Sequence, residues 1–187
     1  MQNIAIFASG EGTNAENLFK YFSGDSRVKI KILITNKDDA GVIAKAEKYK
    51  KNVQIISKEA LENYSSKVIE FLNIEKIDFI ILAGFLLKLP DDLVKAFPRK
   101  IINIHPSLLP KYGGKGMYGK HIHNAVIENQ EKESGITIHF VNEEYDKGEI
   151  IMQVKCKLDE DESIESLSKK IRDLEFEYLP KAIEKFL

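Results

Sequence analysis

The residues with the clearest chemical potential lie in Asn103-Ile104-His105-Pro106-Ser107-Leu108-Leu109-Pro110. At the end of a strand, Asn103 and His105 are two positions apart and share one side. The amide can donate to a developing oxyanion, and an imidazole with a near-neutral pKa can act as acid or base. The two prolines stiffen the segment that follows. A single histidine is more often structural than catalytic, so a partner matters. Asp146, in Tyr145-Asp146-Lys147-Gly148, would favour the imidazolium and orient it if the chain brings the two together; taken alone, Asp-Lys-Gly is a turn former. A second feature is Ser9-Gly10-Glu11-Gly12-Thr13-Asn14 at a strand-to-helix junction. Glycines there admit a ligand close to the backbone, and the free amides of a helix start suit a phosphate. Three readings stay open: a phosphate monoester site, a structural turn, or a dinucleotide loop matching G-x-G-x-x-A at Gly10, Gly12 and Ala15. The last wants an acid at the tip of the second strand, where Thr35 and Asn36 stand.

These residues need elements to position them. Asn3 to Ala8, Val28 to Thr35, Val53 to Ile56, Asp78 to Ala83 and Ile101 to Ile104 read as strands. Between them, Ala15 to Phe22, Val42 to Lys50, a helix from Ser57 to about Asn73, and a short helix opened by Pro90 have helical spacing. This alternation predicts an α/β fold: an open, mostly parallel, Rossmann-like sheet with helices on both faces. Tyr112 to Gly119 is glycine-rich and predicts a mobile loop, and His121 to Glu128 a helix. Gly135 to Val141 and Val154 to Leu158 alternate as antiparallel strands with one wetter face. A last helix from about Ser163 to Phe186, bent near Pro180, completes a C-terminal hairpin plus helix. No repeat or linker interrupts the chain, so residues 1–187 are expected to form a single catalytic domain.

Charge limits the partners. Of 187 residues, 43% are hydrophobic and 30% charged, and the net charge of −1 offers no global field for a nucleic acid or an anionic membrane. The average conceals an asymmetry: Leu93 to Ile127 has no acid but carries Lys95, Arg99, Lys100, Lys111, Lys115 and Lys120, whereas Glu143 to Leu187 is acidic. This is either two solvated faces or a local site for an anionic small molecule. A single cysteine, Cys156, and no signal-like start predict a cytoplasmic protein without internal disulfides.

Taken together, Ser-Gly-x-Gly-Thr-Asn, Leu82-Ala83-Gly84-Phe85, Asn103 to Tyr112 and Gly135 to Ile151 resemble the phosphoribosylglycinamide formyltransferases, folate-dependent enzymes of purine biosynthesis, in that family's order and over essentially the whole chain. The resemblance implies transfer of a formyl group from 10-formyltetrahydrofolate, as cosubstrate, to the glycinamide amine of a ribonucleotide. It implies Asn103, His105 and Asp146 as the catalytic set. Gly12, Thr13 and Asn14 match residues that hold the substrate phosphate or ribose, and Arg172 and Glu175, three apart on one helical face, match positions contacting the phosphate and the glycinamide portion. Leu86, Leu87, Lys88, Leu89, Ile102 and Asn103 match the lining of the folate pocket. No metal and no dinucleotide cofactor is implied, and the four histidines form no metal-ligand pattern. Two departures stand out. The Tyr112 to Lys120 loop is about five residues longer than the family's usual one. The third-helix arginine near the folate tail is replaced by Leu61, Glu62 and Asn63, leaving Lys58 as a substitute. Related alternatives are a formyltransferase for an amino sugar or for methionyl-tRNA, although the length leaves little room for their added domains. An alternative of another class is a nonenzymatic nucleotide sensor. Oligomeric state has no signature in the sequence.

Overall fold

The computed structural model describes residues 1–186. Its strands form one mixed sheet in the order β3-β2-β1-β4-β5-β6-β7. The chain divides into two compact units, residues 1–103 and 104–186, and the division falls within strand β5 (Ile101–His105).

In the first unit, β1 (Gln2–Phe7) pairs in parallel with β2 (Val28–Thr35) on one side and β4 (Phe79–Leu82) on the other. Strand β3 (Asn52–Ile55) adds to β2, and β5 to β4, again in parallel. Ile4, Ile6, Phe7, Ile80 and Ile81 are fully buried, as expected for central strands covered on both faces. The connecting helices are α1 (Thr13–Tyr21), α2 (Val42–Lys48), α3 (Lys58–Asn63), α4 (Ser65–Ile74) and α5 (Asp91–Ala96). Ser57 caps α3, its hydroxyl accepting from Ala60 N at 3.1 Å. The single helix expected from Ser57 to Asn73 is instead two, broken at Tyr64 (φ −130°). Asn63-Tyr64-Ser65-Ser66 is a run of weak helix formers, and the Ser65 hydroxyl donates to Asp92 rather than back to its own turn.

In the second unit, α6 (Lys120–Glu128) precedes an antiparallel pair, β6 (Glu133–Phe140) and β7 (Ile150–Lys157), which sets Thr137 opposite Gln153 and Ser134 opposite Cys156. Helix α7 (Ile164–Glu184) packs on both strands and on α6. It starts with a Ser163 capping box and runs through Pro180, with Leu167, Ile171, Leu179 and Ile183 buried. Its entry is clasped by Glu162, whose carboxylate takes the Lys170 ammonium, the Ser166 hydroxyl and Asp159 N. Burial works to raise the Glu162 pKa, but these donors overcome it and hold the group at about 2. One expectation fails here. Strand β6 has no wet face: Ser134 to Phe140 are all buried. The segment after His105 lies over its polar side, where Thr137 bonds to Ser107 and Leu109.

Candidate active site

His105 ends β5 and is buried. Its Nε2 lies 2.8 Å from the Tyr112 carbonyl. A carbonyl only accepts, so Nε2 carries a proton. Nδ1 faces Asp146 Oδ1 at 3.7 Å. That gap is too long for a hydrogen bond, so in this arrangement the carboxylate acts on the ring through charge. The sequence-derived pair is therefore brought together, but the orienting hydrogen bond comes from the Tyr112 backbone.

Asp146 itself is held from several directions. Its Oδ2 accepts from Gly114 N at 2.8 Å, which ties the glycine-rich loop to the carboxylate. Its backbone is left-handed (φ 53°), a conformation aspartate tolerates in turns. Two residues on, a Cβ at Gly148 would lie 1.6 Å from the Phe140 carbonyl oxygen, so only glycine closes this turn. His139 Nε2 stands 3.8 Å from the same Oδ1, while its Nδ1–H donates to Phe140 O at 2.8 Å. Burial lowers the His139 pKa. His139, the Tyr112 carbonyl and Thr137 were not singled out from sequence. The available signal was polar Thr137 and His139 at alternate positions of an otherwise apolar strand.

In the first unit, Gly12, Thr13 and Asn14 form the start of α1. Gly12 is left-handed (φ 69°), and a Cβ there would come within 2.1 Å of Val42 Cγ2. Glycine thus lets α1 begin tight against α2, where Val42 N donates to Gly10 O at 3.0 Å and the Lys45 ammonium bonds the Glu11 carbonyl. Ser9 joins three strand ends: its N donates to Gly84 O, and its hydroxyl donates to Asn36 and accepts from Leu86 N. Leu86 is exposed, Leu87 half-buried, Lys88 exposed and paired with Asp91, and Leu89 and Ile102 buried in the core. Asn103 is half-buried, on the same strand as His105. Lys58, expected from the sequence as a substitute for the folate-tail arginine, lies 3.7 Å from Glu62 on α3. In the second unit, Arg172 is exposed and Glu175 half-buried on α7.

A family model described as formyl transferase matches residues 2–183. The chain belongs to the formyl transferase family. Among relatives in this family, it is 39% identical over 175 residues to a chloroplastic phosphoribosylglycinamide formyltransferase of Arabidopsis thaliana, covering 91% of this chain and 60% of that protein. It is 35% identical to the Haemophilus influenzae phosphoribosylglycinamide formyltransferase, covering 100% of this chain and 87% of the relative. The crystal structure of phosphoribosylglycinamide formyltransferase from Bacillus halodurans superposes with a TM-score of 0.89 at 33% identity, covering 100% and 95% of the two chains. This formyl transferase therefore shares its mixed-sheet, Rossmann-like fold with solved members. Among its described residues, no group of three or more His, Cys, Asp and Glu could hold a metal ion, and no helix is long and apolar enough to cross a membrane.

Proposed function

We propose that the chain transfers the formyl group of 10-formyltetrahydrofolate to the amine of N1-(5-phosphoribosyl)glycinamide. The products are formylglycinamide ribonucleotide and tetrahydrofolate, a step of purine synthesis carried out by residues 1–187 acting as one catalytic domain. The observation that carries this reading is buried His105 facing the Asp146 carboxylate at 3.7 Å while Tyr112 holds its other nitrogen. The names of its full-length relatives supply the acceptor.

In this reading the neutral amine forms a C–N bond to the formyl carbon, the bond from that carbon to N10 breaks, and the amine proton ends on N10. Negative charge grows on the formyl oxygen. Asn103 and, through Nδ1–H, a cationic His105 donate to that oxygen, a type of interaction worth roughly 3 kcal/mol per preorganised donor. Asp146 sustains the imidazolium, and His105 or a water held by Asp146 relays the proton. Gly12, Thr13 and Asn14 bind the phosphate or ribose through amides at the α1 start, with Arg172 supplying charge and Glu175 receiving the glycinamide portion. Leu86 to Leu89, Ile102 and Asn103 line the folate pocket, Leu89 and Ile102 backing it from the core. The partners are these two small molecules rather than nucleic acid or membrane, in keeping with a net charge of −1.

The deciding measurement is loss of 10-formyltetrahydrofolate with each candidate acceptor. Turnover is expected only with the glycinamide ribonucleotide. Equal turnover with an amino sugar or methionyl-tRNA would replace the acceptor, and nucleotide binding without turnover would leave a sensor.

A further inference from the structure

The Tyr112 carbonyl that orients His105 lies seven residues further along the chain, so its position depends on how the intervening segment is held. The segment closes on itself: the Ser107 hydroxyl donates to Lys111 O at 2.6 Å, and Lys111 N to Leu108 O at 3.1 Å. It is fixed to the sheet by the side chains of Thr137 and Gln153. Thr137 Oγ1 donates to Ser107 O at 2.7 Å and accepts from Leu109 N at 3.0 Å. A hydroxyl has one further accepting position. Gln153 fills it with Nε2 at 2.9 Å, and the second N–H of the same nitrogen goes to Leu109 O at 3.0 Å.

Leu109 is thus gripped at both its N–H and its carbonyl. Since the Leu109 carbonyl only accepts, the nitrogen end of the Gln153 amide must face it. An open pocket of about 230 Å³ is lined by Leu108, Leu109, Pro110, Tyr112 and Gln153. Hydrogen bonds to Leu109 thus act beside the packing of Leu108 and Leu109 in setting where this stretch sits. Thr137 is 0% exposed, whereas Gln153 is solvent-facing on β7 and can be changed without opening the core.

We infer that Gln153 and Thr137 are positioning residues for His105, acting through Leu109 and the Tyr112 carbonyl to fix where the ring points and, in the neutral ring, which nitrogen carries the proton. The kinetic part of this inference rests on the formyl-transfer reading.

The test uses the full chain labelled with 15N-histidine, in wild type, Gln153→Leu, Gln153→Glu, Thr137→Val and Thr137→Ser. With the ring neutral, His105 in the wild type is expected as the Nε2–H tautomer. Gln153→Leu, Gln153→Glu and Thr137→Val should give a mixture of tautomers, while Thr137→Ser, which keeps the hydroxyl, should match the wild type. In the enzyme assay Gln153→Leu should lose about 10- to 100-fold in kcat with each KM within about twofold. A wild-type tautomer of His105 in Gln153→Leu, in a protein whose remaining amide spectrum is unchanged, would overturn the inference. If the wild type transfers no formyl group to any acceptor, the functional reading falls while the tautomer comparison still decides the positioning role.

Discussion

The two units bury polar groups of different kinds. Among the described residues, the buried polar side chains of the first are Ser9, Asn14 and Thr35, none of which titrates near neutral pH. Those of the second include His105, His123 and His139. All four histidines of the chain lie in the second unit. In the first unit, Gly12 fixes the backbone at the start of α1 against Val42, and in the proposed function that start receives the ribonucleotide. The second takes imidazoles out of water, which is costly unless it serves charge movement. If the proposed function holds, the difference teaches that recognition and chemistry make different demands on a fold: steric exactness at a helix start in one case, tunable ionisation in the other.

The strongest way to break this comparison is His105→Ala. Its kcat is expected to fall about 100- to 1,000-fold, with both KM values within a few-fold. A loss confined to ribonucleotide KM would erase the division. Gly12→Ala probes the other side. The clash with Val42 and the left-handed backbone should cost about 2–3 kcal/mol in urea unfolding and raise ribonucleotide KM about tenfold, with saturated kcat little changed. A kcat collapse there would show that geometry and chemistry are not separable.

A smaller effect comes from Glu162, whose side chain is 3% exposed. Glu162→Gln should lower stability at pH 7 by roughly 1–2 kcal/mol. The folded-state pKa is depressed to about 2, so the stabilising contribution is present above the ordinary carboxylate value of 4.5 and is lost as pH falls towards 2. The gap between wild type and variant in urea midpoint should therefore close over that window, and a constant gap would reject the linkage.

The smallest expected effect is at His123, whose Nδ1 is buried with no hydrogen-bond partner and whose pKa is lowered by burial. Its stability contribution is complete above 6.5 and declines as pH falls below that, because the unfolded chain takes up the proton first. His123→Leu should flatten the pH dependence of hydrogen exchange in α6 and α7 while leaving that of β1 and β4 unaltered.

Much of the fold was legible because its signals are local. Val28 to Thr35 reads as a strand from eight adjacent residues, and its bounds coincide with those observed. His105 stood out for the same reason, since Asn103 to Pro110 is contiguous. Its surroundings were not legible. The group that holds its Nε2 is a main-chain carbonyl, which any residue at 112 would supply. The Thr137 and Gln153 grip joins segments 16 and 44 residues apart. The break at Tyr64 was missed because apolar spacing continues across it, while the hydrogen-bond preferences of Ser65 do not. The dry outer face of β6 was missed because alternation reports only how residues pair across a sheet, not what later covers them.

The lone thiol probes one of these segments. Cys156 is half-buried opposite Ser134 in the β6–β7 pair, and burial pushes its thiol pKa up. Little thiolate is present at neutral pH, and only the thiolate attacks an alkylating reagent. A small alkylator should therefore mark this half-buried thiol slowly, and a faster rate in a variant would report loosening around the hairpin that carries Thr137 and Gln153.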